Sequence, residues 1–394
     1  MLNRYPSAPL LLLALFPGTI AAQQGPPKWT TEGPSVGAKE FSLSLPLETL
    51  ATKLHVEIEL GGKPRRFVFD TGSPSMISKA LVAELGLKVI DKASGRDSHG
   101  AVIESGIVQA DLNIGGVTFR KVPMFAADLS SSEAVRCLVC DGVLGSELLP
   151  LRAWQVDLPD SKLRCNTNVR KLDHVKGAKK QRLHDFGYPH APFLDVRFAK
   201  NATSTVMFDT GMPGIFSISP PDFEGAKRAG GVAGILSGHG SLGSSLGGQA
   251  PVRDQQRAEL RSLSIGNLEL GRIVASVRES PPSLVGAALL EQFVVTFDSR
   301  SGKAYFDPIH DGPRARSSFG FGLGFEGPIT VSLVWEDSEA AKSGLAAGQT
   351  IDSINGEPTE LSCDGIRKAL LAMDGDTIEL GIDGRMVRLE RAPR

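Results

Sequence analysis

FVFDTGSP, residues 67–74, and VMFDTGMP, residues 206–213, are the two stretches on which the reading of this chain turns. Each is an apolar run that ends in Asp-Thr-Gly, with a Pro two residues beyond the Gly. The aspartates stand 209 − 70 = 139 positions apart. A single Asp-Thr-Gly after a strand is an ordinary turn, because Asp bonds its own backbone and Gly accepts dihedral angles that other residues resist. Two copies with matching flanks in a chain of 394 residues exceed what average residue usage supplies by chance.

The likeness extends outward from both loops. Before the first, Val56, Ile58 and Leu60 alternate with charged residues, a Gly-Gly turn follows, and RRFVFD closes the hairpin. Before the second, Leu194, Val196 and Phe198 alternate, AKNATS makes the turn, and TVMFD ends at Asp209. Downstream, ADLNIGGVTFRKVPMFAAD matches RSLSIGNLELGRIVASVRE, CDGVLGSELL matches SLVGAALLEQF, and WQVDLPDSKLR matches FVVTFDSRSGKAYF. Gly145 and Gly286 are separated by 286 − 145 = 141, as are Asp157 and Asp298 by 298 − 157 = 141. Ile114 and Ile265 differ by 265 − 114 = 151, so the second copy has the longer middle loop, SGHGSLGSSLGGQ, and the first regains length at SSSEAVRCLVC. The chain reads as a duplicated β-rich unit.

Two such units around an approximate twofold axis would bring Asp70 and Asp209 face to face. Carboxylates at hydrogen-bond distance cannot both ionise cheaply, so the pair holds one proton, leaving one partner a base and the other an acid. A water between them could lose a proton to the base while attacking a peptide carbonyl protonated by the acid. Thr71 and Thr210 would tie the loops together, and Gly72 and Gly211 would let backbone N–H groups approach and orient the carboxylates. The chemistry calls for no metal, cofactor or covalent intermediate.

These residues resemble the aspartic protease superfamily, specifically retropepsin-like units fused in one chain. The GVLG at 142–145 and LVG at 284–286 are similar to its hydrophobic-hydrophobic-Gly segments, which lie beneath the active-site loops. The resemblance implies a mainly β fold of two β-barrel lobes related by pseudo-twofold symmetry, residues 41–165 and 191–308, each supplying one catalytic Asp. The shared proton is likewise carried over from that family. Ser73 matches the hydroxyl that often follows Asp-Thr-Gly, whereas Met212 departs from it. No Tyr occurs between residues 91 and 119, so RDSHGAVIESG and the Gly-rich 230s to 240s are the candidate flaps. A basic linker, residues 166–190, joins the lobes as a solvated segment.

The N-terminus reads as a signal peptide, residues 1–22: Arg4 is the positive region, Leu10 to Phe16 the apolar region, and Thr19-Ile20-Ala21-Ala22 a small-residue cleavage site. The run is too short to span a bilayer and no Cys follows it, so the expectation is an exported protein, periplasmic or extracellular, without a stable membrane anchor. Residues 23–40 are Pro/Gly-rich and are expected to form a disordered tail. The 41% apolar content can fill several cores, and a net charge of −1 argues against nucleic acid or an anionic membrane as the partner. Polypeptide substrates are the expected partners, and two lobes in one chain make a monomer the default. Cys137-x-x-Cys140 could be a redox pair or half a zinc site, but it leads into a strand-like CDGVLG and lacks a second matching pair. A structural bond from Cys165 to Cys137 or Cys140 is the expectation, with the other thiols inert.

The texture changes after residue 308. FGLGF, residues 321–325, resembles the carboxylate-binding loop of PDZ domains, and SEAAKSGLAAGQTIDSINGEP resembles the segment that follows it in bacterial members. The resemblance implies a linker and an α+β PDZ-like domain over 309–394. In it Gly322 and Gly324 would permit a turn whose N–H groups bind a C-terminal peptide carboxylate, with Leu323 and Phe325 lining an apolar pocket. Cys363 reads as a small buried side chain. Two functions compete: an exported aspartic endopeptidase working through Asp70 and Asp209, or a noncatalytic peptide-binding scaffold on a protease-like fold.

Overall fold

The structure, a computed structural model, describes residues 27–130, 132–310 and 317–393. The expected signal peptide, residues 1–22, lies outside them. The fold is mainly β. Among the described residues no helix is long and apolar enough to cross a membrane.

In the first half, strands Lys53–Leu60 and Lys63–Phe69 form a hairpin closed by Gly61 and Gly62 at φ +64° and +71°. That left-handed pair matches the twist of a two-residue β-turn and is what the Gly-Gly supplies. Lys63–Phe69 then pairs in parallel with Gly142–Leu144, placing Phe69 beside Leu144 and Asp70 at the strand's end. The second half repeats the arrangement. Strands Phe193–Ala199 and Ala202–Asp209 form the hairpin, and Ala202–Asp209 pairs in parallel with Leu284–Gly286. The apolar runs that flank the Asp-Thr-Gly loops are thus buried strands, with Phe67, Phe69 and Phe208 fully enclosed.

A six-stranded sheet draws on both halves: Lys179–Arg182, Lys303–Pro308, Phe293–Asp298, Ala153–Asp157, Lys162–Asn166 and Ser42–Pro46, in that order. At its middle Trp154 pairs with Phe297, Gln155 with Thr296 and Val156 with Val295. Phe69 lies 5.6 Å from Trp154 and Phe208 5.1 Å from Phe297, ring centroid to centroid, so one continuous core runs through both halves. Burial of these aromatic faces helps to hold the halves together.

Four expectations need correction. The tail is ordered from residue 27: Trp29 is buried, donates from Nε1 to Asp91 Oδ2 at 2.7 Å and meets Tyr188 edge-on at 5.2 Å, and Ser35–Val36 pairs with Val117–Ala127. One large amphipathic ring outweighs the Pro/Gly composition around it. Residues 166–190 are not a free linker, since Leu172, Val175 and Ala178 pack with Ala153 and Tyr305, and Lys179–Arg182 joins the six-stranded sheet. Its lysines and arginines face solvent.

The C-terminal residues have their own core, built on Phe319, Phe321, Phe325, Val331, Ile366 and Leu380. They are nevertheless stitched to the rest of the chain. Strand Thr330–Trp335 pairs with Val232–Gly240, extending the second-half sheet. The disulfide is Cys137–Cys363, with Cα atoms 5.2 Å apart, joining helix Glu133–Val139 of the first half to helix Cys363–Ala372. Cys165 is a free, buried thiol, one strand residue opposite Leu43 and Trp154, and Cys140 is also free. The pairing partner lies 226 residues away, beyond the reach of any local spacing argument.

Candidate active site

The two Asp-Thr-Gly loops meet back to back through their threonines, both fully buried. Thr71 N–H donates to Thr210 Oγ1 at 3.0 Å, and Thr210 N–H donates to Thr71 Oγ1 at 3.2 Å. Each hydroxyl then donates across the boundary, Thr71 to the Phe208 carbonyl at 2.6 Å and Thr210 to the Phe69 carbonyl at 2.9 Å. Four buried bonds therefore lock the strand ends that carry the aspartates, and each group so enclosed would be costly if left unpaired.

Each carboxylate is oriented by its own loop. Gly72 N–H donates to Asp70 Oδ1 at 2.9 Å, and Gly211 N–H to Asp209 Oδ1 at 2.8 Å. The loops also interlock, because each glycine lies against the opposite aspartate with no room for a side chain. Burial pushes the Asp209 carboxyl up to about 7, and the charge of Asp70 and a hydrogen bond to it act in the same direction. Lys53 opposes the shift.

Lys53 is a residue the sequence reading passed over. It follows Ala51 and Thr52, at φ +48° and +65°, in a two-residue turn between Leu50 and Lys53. A β-branched residue in that region is strained. The turn sends Lys53 Nζ across to the Gly211 carbonyl at 2.6 Å, tying the first half to the second-half loop. Nothing in the local sequence distinguishes this lysine from a solvated one.

Beneath the loops run the two hydrophobic-hydrophobic-Gly segments. A Cβ on Gly145 would fall 2.2 Å from Ser75 N, and one on Gly286 2.3 Å from the Gly214 carbonyl, so both glycines are dictated by close backbone approach. Gly145 N–H donates to Ser75 Oγ at 2.8 Å. Ser75 N–H in turn donates to both carboxyl oxygens of Glu147, at 3.0 and 3.1 Å. Glu147 is another residue missed by pattern, for it opens a short apolar turn; burial pushes it up to about 7. The Ser73 hydroxyl is enclosed without a partner among the described residues, and its carbonyl accepts from Ser146 N–H at 2.9 Å. At the departing position, the Met212 carbonyl accepts from Ala287 N–H at 2.8 Å.

Two hairpins, one from each half, reach toward one another. One is Asp91–Arg96 with Val102–Ile114, the other Val232–Gly240 with Arg253–Ile265. Their tips touch where Gly247 N–H donates to Asp97 Oδ2 at 2.9 Å. They coincide with the RDSHGAVIESG and Gly-rich segments.

The Gly-Leu-Gly-Phe stretch does not form the expected turn. Phe321–Gly324 is a strand paired with Thr330–Trp335, and the left-handed residue precedes it, Gly320 at φ +84°. A Cβ on Gly322 would fall 2.9 Å from Ser332 Oγ and one on Gly324 2.7 Å from Thr330 Oγ1, so these glycines serve close strand packing. Phe325 is buried in the domain's core, and Leu323 is half-buried beside it. Far from the aspartates, Glu133, Cys137 and Cys363 bring three ligand-type atoms together, but both sulfurs are committed to the disulfide.

Residues 56–148 match the family model described as aspartyl protease. This segment is an aspartic protease-like domain. Within the protease-like domain fall Asp70, Thr71, Gly72, the first flap hairpin and Glu147, while Asp209 and its loop lie beyond the matched residues. No curated protein matches the chain.

Proposed function

We propose that the chain is an exported aspartic endopeptidase in which Asp70 and Asp209 jointly activate a water against a peptide carbonyl. The observation that carries this reading is the reciprocal threonine exchange, which holds two Asp-Thr-Gly loops from distant parts of the chain with each glycine against the other's carboxylate. The protease-like domain over residues 56–148 supports the chemistry. Asp209, kept protonated toward pH 7 by burial, is the acid that protonates the carbonyl oxygen, and Asp70 is the base that takes the water's proton. Gly72 and Gly211 N–H groups hold the carboxyls in register, and the flap tips exclude bulk water. Thr71 and Thr210 act as positioning residues.

A pseudo-twofold axis between two lobes accounts for the register of the central sheet. Gln155 and Thr296 are 296 − 155 = 141 positions apart, the same offset as Gly145 and Gly286, and they pair with one another. The pairing of equivalent positions supports an axis passing between them. The Cys137–Cys363 bond favours an oxidising compartment, in keeping with export to the periplasm or beyond. The C-terminal region, PDZ-like in its order of short strands and two helices, would take an extended peptide along the outer edge of Phe321–Gly324, which ends its sheet.

The test is cleavage of a denatured polypeptide between pH 4 and 7 by the unmodified protein and by Asp70→Asn and Asp209→Asn. Each variant should lose cleavage. Full activity in either would sink the dyad, and binding without products in the unmodified protein would favour the scaffold.

A further inference from the structure

Strand Leu268–Val277 runs parallel to Phe216–Ile218, the strand that leaves the Asp209 loop, with Val277 beside Ile218. Arg278 is the next residue, and its N–H donates to the Ile218 carbonyl at 2.9 Å. The guanidinium is largely enclosed, its Nη1 has no hydrogen-bond partner among the described residues, and any negative charge on Asp209 acts on it against the effect of burial. Burial holds its pKa below the usual arginine value. The neighbouring acid is committed elsewhere, since Glu279 pairs outward with Arg253.

The first half carries no charge at the equivalent position. There Ile77 pairs with Ala126, and the position equivalent to Arg278 is Ala127, at 278 − 127 = 151, the offset that also relates Ile114 to Ile265. Ala127 is a buried methyl packed with Leu129 and Val135. The two sides therefore differ at this position, a guanidinium in the second half against a methyl in the first, and the first half's cation at the site, Lys53, is already bonded to the Gly211 carbonyl.

An enclosed guanidinium N–H without an acceptor is unfavourable, and a carboxylate docking against it removes the imbalance with charge-assisted hydrogen bonds. The Asp209 carboxyl is already engaged by Gly211 N–H and by Asp70. An arriving ligand can supply what the protein does not.

We propose that Arg278 is a substrate-recognition residue that takes a carboxylate of the bound polypeptide, either an Asp or Glu side chain or a free C-terminus. This rests on the endopeptidase reading, and it selects acidic or chain-terminal segments among its substrates.

Binding is measured with fluorescent peptides on the Asp70→Asn protein, and cleavage of the same peptides on the unmodified protein. One pair differs by Glu against Gln in amidated peptides; the other differs by a free against an amidated C-terminus with neutral side chains. The carboxylate member of at least one pair should bind about tenfold more tightly. That preference should vanish in Arg278→Gln added to Asp70→Asn and persist in part in Arg278→Lys, which retains the charge should the Gln variant not fold. The responding pair identifies the source of the carboxylate. Equal binding within both pairs, or a preference that survives Arg278→Gln, overturns the proposal. Cleavage without preference would remove Arg278 alone, whereas Arg278-dependent binding without cleavage would remove the endopeptidase and leave the recognition site standing.

Discussion

Gly72 stands so close to Asp209 that a Cβ added to it would fall 2.3 Å from the carboxyl carbon. The reverse relation holds for Gly211, whose Cβ would fall 2.3 Å from Asp70 Oδ2. Neither glycine has a left-handed φ, so the constraint is space and not backbone freedom. Gly72→Ala and Gly211→Ala should each displace the opposite carboxylate by an ångström or so and lower kcat/KM by about 100-fold or more. Steady-state cleavage assays on variants that keep a cooperative melt would check this; near-normal activity would mean the loops are looser than their packing indicates.

Thr71→Val should destabilise the whole two-loop assembly. It strips the Phe208 carbonyl and the Thr210 N–H of their buried partners while preserving shape, a loss of about 2–6 kcal/mol at about 1–3 per orphaned group. Thr71→Ser keeps both bonds and should recover most of it. Denaturant unfolding of the pair gives the comparison.

Stability should fall as pH rises from mildly acid to neutral. Asp209 and Glu147 both sit at about 7 in the folded protein against ordinary values of 3.8 and 4.5. The folded state thus holds more protons than the unfolded one in that window, and unfolding becomes easier as they are lost. The limit is about 4 kcal/mol for Asp209 and about 3 kcal/mol for Glu147, and Glu147→Gln should flatten the slope while still accepting from Ser75. Melting temperatures from pH 4.5 to 8 would show it. If Asp209 is the acid of the proposed reaction, cleavage should decline through the same region as it loses its proton.

Lys53→Met should move that decline to higher pH. Lys53 draws the Asp209 pKa downward, so its removal lets the carboxyl keep its proton longer. The pH profile of kcat/KM would report an alkaline limb shifted upward, together with lower stability from the lost bond to the Gly211 carbonyl. An unmoved limb would relegate Lys53 to a structural tie.

Cys363→Ser should loosen the C-terminal region from the first half and lower stability by about 2–5 kcal/mol, because the bond closes a very long loop. Calorimetry should then resolve a separate, lower transition for the C-terminal core. A single unchanged transition would indicate that the pairing of Thr330–Trp335 with Val232–Gly240 suffices to hold it.

The residues most legible from the sequence were those bound by local geometry. Asp70, Thr71 and Gly72, with Asp209, Thr210 and Gly211, announce themselves because a strand end and a tight loop need those types in that order. Gly145 and Gly286 are visible for the same reason. Lys53, Glu147 and Arg278 carry no such mark, since a lysine after a turn, a glutamate before leucines and an arginine at a strand end look the same whether solvated or enclosed. Trp29 shows the converse, one ring ordering a stretch whose composition reads as tail.

By itself the sequence determined a duplicated β-rich unit and the residue types at its two loops, because periodicity and turn chemistry act over a few residues. Tertiary structure alone decided that Phe321–Gly324 is a paired strand, that Cys363 finds Cys137, that Lys53 reaches the Gly211 carbonyl, and that Arg278 Nη1 is enclosed. Those outcomes depend on which distant surfaces exclude water together, a property of the packed chain that no short window of residues contains.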